Sequence, residues 1–112
     1  MVDSRLTNHE SLFRTRITEL YGIRLPVIAS GLMWLANADY VGAAVNAGLM
    51  GFMTSASFPD PESLRREIRR CRNITQGKPF GVNIGVRAGD KDQERVTRVL
   101  DIVIEEGVRF VE

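Results

Sequence analysis

At 112 residues and 12.5 kDa the chain has room for one domain built on one core. A hydrophobic fraction of 44% and a charged fraction of 26% place it among globular proteins, and a net charge of +1 argues against a nucleic-acid or other polyanion binder. The lone Cys71 excludes an internal disulfide framework and gives no metal-ligand spacing, while no apolar run approaches the roughly twenty residues that cross a bilayer, so a cytoplasmic protein with no membrane or metal site is expected.

Residues 1–15 are polar and mixed and predict a flexible leader. His9, the sole histidine, sits there among Asn8, Glu10 and Ser11, the setting of a solvated side chain rather than a catalytic one. Ile17 to Tyr21 predict a short turn or helix, and Gly22 and Pro26 bracket the entry to a first strand over Val27 to Ser30. Asn37 or Asp39 can cap a helix whose apolar face is Val41, Ala44 and Val45, ending at Ala47-Gly48. A second strand follows at Met50 to Thr54. Asp60-Pro61 starts the next helix, with Leu64, Ile68 and Cys71 as a narrow apolar seam.

The other side of that helix carries Arg65, Arg66, Arg69, Arg70 and Arg72. No aromatics are interleaved and Glu62 is placed to pair with Arg66, so a solvated outer face is expected rather than an anion-binding patch. A third strand, Phe80 to Ile84, puts Phe80, Val82 and Ile84 on one face and Gly81 and Asn83 on the other. Asp90 with Gln93 reads as a capping box, and Val96, Val99, Leu100 and Val103 follow at helical spacing until Gly107. A fourth strand opens at Val108 to Val111. Strands alternating with helices at this spacing predict parallel strands joined by right-handed crossovers.

Sites in such folds gather at the C-terminal ends of strands, here Ser30 to Met33, Thr54 to Ala56 and Asn83 to Gly85. Gly48 to Gly51 lacks the dinucleotide-binding spacing and lies between helix and strand, on the wrong side for a phosphate. The apolar loop Leu32-Met33-Trp34-Leu35 has two readings: the floor of a site for a flat, partly apolar ligand, or a plug for one end of the core. Asn83 likewise either meets a ring edge of alternating carbonyl and N–H groups, with Gly81 leaving room beside it, or ties down its own loop.

Three stretches in register, Thr15 to Ile28, Gly31 to Gly48 and Lys78 to Asn83, resemble the opening of the nitronate monooxygenase family, formerly called 2-nitropropane dioxygenases. The resemblance implies an FMN-binding (β/α)8 barrel that oxidises alkyl nitronates with dioxygen. In it the backbone of Gly31, Leu32 and Met33 lies against the isoalloxazine, Asn83 contacts FMN, and Ser55 is a further cofactor position. The flavin-dependent enoyl-acyl-carrier-protein reductases begin similarly and supply an alternative activity. The family's catalytic histidine has no counterpart here, so no catalytic residue is assigned.

A full barrel needs roughly 250 residues. The expectation is therefore the N-terminal half of a TIM barrel over residues 16–112, with four parallel strands, three crossover helices and truncation after strand four. Open half-barrel edges would then favour self-association, and a truncated, non-catalytic remnant or assembly module is the reading from a different class.

Overall fold

The computed structural model describes residues 12–112, so His9 and most of the expected leader lie outside the described residues. Helix α1 (Arg16–Tyr21) opens with a reciprocal capping box, in which the Thr18 amide donates to the Thr15 hydroxyl and the Thr15 amide donates back to the Thr18 hydroxyl. The remaining elements are β1 (Ile28–Ala29), α2 (Ala38–Asn46), β2 (Met50–Thr54), a 3-10 turn (Ser55–Ser57), α3 (Pro61–Thr75), β3 (Gly81–Asn83), α4 (Asp90–Glu105) and β4 (Phe110–Val111). The strands pair in parallel and in chain order, with Ile28 opposite Met50, Phe52 opposite Gly81, and Gly81 opposite Phe110. One helix makes each crossover, which is the four-strand, three-helix arrangement of half a (β/α)8 barrel.

Two helices start as their sequences predict. The Asn37 side chain accepts from the Tyr40 amide at 3.0 Å, and Asp60 accepts from the Ser63 amide at 3.0 Å with Pro61 in the first helical turn. The third does not. Gly89, at φ +119°, occupies the cap of α4, so Asp90 is already helical and the expected Asp90–Gln93 box does not form. Asp92 takes over the local bonding, accepting from the Arg87 amide and from Arg95, and this pulls its carboxyl below the ordinary carboxylate range.

The sheet has two differently used faces. On one, Met53, Val82 and Ile84 pack against Val41 and Val45 of α2, Leu64, Ile68 and Cys71 of α3, and Ile102 and Val103 of α4. Cys71 is fully buried there, and desolvation pushes its thiol up to about 12, which leaves it an inert core residue. On the other face lie two tiers of side chains, two residues apart along each strand. The lower is aromatic. A methyl on Gly81 would lie 2.2 Å from the Phe52 ring, so the space beside this glycine is filled by Phe52 and is not left for a ligand as the sequence suggested. Tyr21 of α1 closes the tier edge-on, with its ring 4.9 Å from Phe110 and 6.1 Å from Phe52. The upper tier carries the polar groups.

The arginines of α3 are not a free cationic face. Arg65, Arg69 and Arg72 converge on Glu106 beyond the end of α4, and Arg65 also meets Glu105 at 2.6 Å. Arg70 clamps Asp39 of α2 through two bonds, at 2.8 and 2.7 Å. Glu62 pairs with Arg65, three residues on, and not with Arg66. The charge run thus fastens α3 to both neighbouring helices.

Candidate functional site

The upper tier begins with Thr54, directly opposite Asn83 in the β2–β3 ladder. Glu112 extends it, because its amide donates to Val82 and its carbonyl accepts from the Ile84 amide, placing it beside Asn83. Hydroxyl, amide and carboxylate therefore stand in one row across the C-terminal ends of three strands.

The end of β1 closes over this row. A methyl on Gly31 would lie 2.5 Å from Asn83 Cβ, 2.6 Å from Asn83 Cγ and 2.9 Å from Thr54 Oγ1, so the missing side chain is what lets the loop settle onto both residues. The Glu112 carboxylate then fastens the arrangement. Its Oε1 accepts from the Gly31 amide at 2.9 Å and from Asn83 Nδ2 at 3.0 Å, and its Oε2 accepts from the Ser30 hydroxyl at 2.9 Å. These are charge-assisted bonds that span from the first strand to the fourth.

Thr54 Oγ1 and Ser55 Oγ are buried without a hydrogen bond among the described residues. Buried polar groups are nearly always satisfied, and leaving one bare costs on the order of 1–3 kcal/mol. Such a pair leaves an unmet bonding demand at the C-terminal end of a strand, where the sites of parallel α/β folds gather.

Beside the row runs the loop from Leu32 to Leu35. Its side chains are exposed, from 48% at Leu32 to 71% at Trp34, so the core-plug reading does not hold. Ala36 is the residue that enters the interior, and its carbonyl accepts from the Thr54 amide at 3.1 Å. The loop keeps its shape through a turn at Leu32, whose carbonyl accepts from Leu35 and Ala36, and through a 2.9 Å bond from the Trp34 amide to Ser57 Oγ. An apolar shelf thus stands next to a polar row, each held by backbone contacts.

Of the positions expected from the sequence, Gly31 and Asn83 are in contact, Leu32 and Met33 form the shelf, and Ser55 follows Thr54 in the polar corner. Asn83 does not tie down its own loop: Nδ2 bonds to Glu112 of the neighbouring strand, and no described residue engages Oδ1. Three participants escaped the sequence reading as site residues. Thr54 and Ser30 were visible there as strand ends, whereas Glu112 belongs to no motif and is brought in by the β3–β4 register alone. Among the described residues no cluster of His, Cys, Asp or Glu is placed to hold a metal ion, and no helix is long and apolar enough to cross a membrane.

Comparison with known proteins agrees with this architecture. The family model described as nitronate monooxygenase matches residues 14–112. The chain is similar to an enzyme of Mycobacterium tuberculosis named (3aS,4S,5R,7aS)-5-hydroxy-7a-methyl-1-oxo-octahydro-1H-indene-4-carboxyl-CoA dehydrogenase, at 41% identity over 86% of this chain and 25% of that protein. The Rhodococcus jostii enzyme of the same name is 37% identical over 88% of this chain and 26% of that protein. Among solved structures, FabK from Thermotoga maritima superimposes with a TM-score of 0.74 at 32% identity, covering 88% of this chain and 30% of that one. The enoyl reductase domain of MlnA from Bacillus amyloliquefaciens gives a TM-score of 0.71 at 20% identity over 85% of this chain and 22% of that one, a likeness of fold. The chain spans about a quarter of the length of its curated relatives. Nothing in these comparisons supports the self-association expected from open strand edges. With nearly the whole described chain matched, the protein belongs to the nitronate monooxygenase family.

Proposed function

We propose that this chain forms one wall of an FMN site in an oxidoreductase that removes electrons from an activated carbon acid. The observation that carries the reading is Asn83 Oδ1, unengaged among the described residues, standing beside the exposed apolar shelf of Leu32 and Met33 with the unsatisfied Thr54 and Ser55 hydroxyls behind it. A flavin ring has an apolar dimethylbenzene end and a polar pyrimidine end, and these residues fit that division: a shelf for one, the Asn83 amide for the other. Bound there, FMN would supply the two-electron acceptor that the protein's own side chains lack.

Each residue then has a defined task. Gly31 keeps the first loop seated on Thr54 and Asn83, so that backbone and ring can approach without a side chain between them. Asn83 offers an acceptor, while the Thr54 and Ser55 hydroxyls lie buried behind it with their bonding demand unmet among the described residues. Leu32, Met33 and Trp34 exclude water from the ring surface, which strengthens every polar contact beside it.

The family and its members support two candidate substrate classes. The family activity is oxidation of an alkyl nitronate with dioxygen. The two relatives at 41% and 37% identity carry the name of a carboxyl-CoA dehydrogenase, which favours a CoA thioester as the second class. The enoyl-acyl-carrier-protein reductase reading runs the dehydrogenation of a thioester in reverse and needs a reduced nicotinamide nucleotide. Anaerobic mixing of the flavin-loaded protein with each compound separates them, read as bleaching of the oxidised flavin band. Bleaching by an alkyl nitronate or a CoA thioester supports oxidation of a carbon acid. Bleaching by reduced nicotinamide alone moves the protein to the reductase class, and bleaching by none of these contradicts the proposed function.

A further inference from the structure

The polar row has a feature that the cofactor reading does not itself require. Glu112 takes both of its carboxylate oxygens to donors of the site, and one of those donors is Asn83 Nδ2. An asparagine amide is ambivalent, with two N–H donors on one side and a carbonyl acceptor on the other. A carboxylate accepts and cannot donate, so at 3.0 Å it selects the amide nitrogen and turns the carbonyl the opposite way. Asn83 is also confined by Gly31, which approaches so closely that a methyl there would overlap Asn83 Cβ and Cγ.

We infer that Glu112 is a positioning residue that fixes Asn83 as an acceptor, so that the site selects a ligand edge presenting N–H at that point. The inference rests on the proposed flavin site and names the ring edge it reads. With Asn83 Oδ1 accepting, the row offers an acceptor to a ring N–H, the group at the centre of an imide edge. The pyrimidine edge of a flavin has that pattern at its N3–H and adjacent carbonyls. Glu112 itself touches no ligand in this arrangement. Its backbone is held in the ladder by bonds to Val82 and Ile84, so the carboxylate acts from a fixed base.

The test pairs a measurement that needs no flavin with one that does. In the first, side-chain amide signals of Asn83 are followed by NMR in the wild type, in E112Q and in E112A. Bonding to a carboxylate predicts shifted, slowly exchanging Asn83 N–H signals that move toward free-amide values in E112A, with E112Q between them. Asn83 signals identical in all three proteins overturn the inference, whatever the protein binds. In the second, affinities for FMN and for N3-methyl-FMN are compared, since the methyl group removes the donor and leaves Oδ1 bare. Wild type should prefer FMN by about tenfold, the usual effect of one unsatisfied polar group, and E112A should lose most of that preference as the amide becomes free to rotate. Equal affinities in the wild type overturn the inference while the flavin site stands. Failure of both flavins to bind, with the Asn83 signals responding to Glu112, refutes the flavin site and leaves the positioning of Asn83 intact. A variant that lost affinity for both flavins in proportion would show a general structural role and would contradict selection of the N–H edge.

Discussion

An alanine methyl at position 31 would sit within 2.6 Å of two Asn83 carbons and 2.9 Å of the Thr54 hydroxyl, closer than real contacts allow. Neither neighbour has a long flexible end that could swing away, so the loop and strands β2 and β3 must part. G31A is expected to destabilise the fold by about 1–3 kcal/mol, the range for an overpacked site, and to weaken FMN binding at least tenfold. Urea denaturation beside a flavin titration checks both; a G31A protein with wild-type affinity would mean that the loop does not form the ring-facing wall. At this scale the sequence was informative where chemistry is local. Gly31, the apolar loop and Asn83 stand out as residues out of keeping with their surroundings. Glu112 and Thr54 do not, because their meaning depends on which residue the ladder puts opposite them. Gly81 misled for a related reason: a glycine announces close approach but does not say by what, and here the visitor is the ring of Phe52.

The elements were legible through their caps and seams. Asn37, Asp60 and the Leu64, Ile68, Cys71 stripe each state a local rule that the helix obeys. The arginines of α3 obey a tertiary rule: within the helix Glu62 and Glu67 each pair with an arginine three residues on, and the stronger partners come from the end of α4 and from Asp39 of α2. Glu106, with its side chain 8% exposed, gathers Arg65, Arg69 and Arg72, and the Arg69 hydrogen bond leads the causes that hold its carboxyl below its ordinary value of 4.5. A carboxylate with a depressed folded value contributes stability above the unfolded value and loses it as pH falls through the folded one. The clamp therefore acts fully at neutral pH and begins to weaken only below about pH 4.5, and Asp92, lowered by the Arg87 amide and Arg95, weakens in the same acid direction. E106Q should cost about 1–2 kcal/mol at pH 7, within the range for charge-assisted bonds, and the gap from wild type should close as the pH approaches 3. Thermal melts of both proteins across that range check it; a gap independent of pH would assign the effect to packing instead of charge.

For the molecule as a whole, the alternation of strands and helices predicted the parallel α/β order, and the structure has that order with every strand beside its predecessor. Strand lengths were overestimated: two residues are paired in β1 and β4 where four were expected, because an apolar run shows which residues are buried and not which make ladder bonds. The two faces have different work. The helix-covered face holds the core, while the tiers on the other face rise from aromatic rings at Phe52 and Phe110 to the polar row of Thr54, Asn83 and Glu112. That layering is how a (β/α)8 scaffold separates a packed interior from a site at the strand ends. The central claim, that these strand ends form a flavin wall, is tested most directly by titrating FMN into the protein while following the emission of its single tryptophan, Trp34, which stands exposed on the shelf. Saturable quenching is expected, weakening about tenfold in N83A, the loss expected for one polar contact. Absence of saturable quenching, or an affinity unchanged by N83A, would contradict that claim.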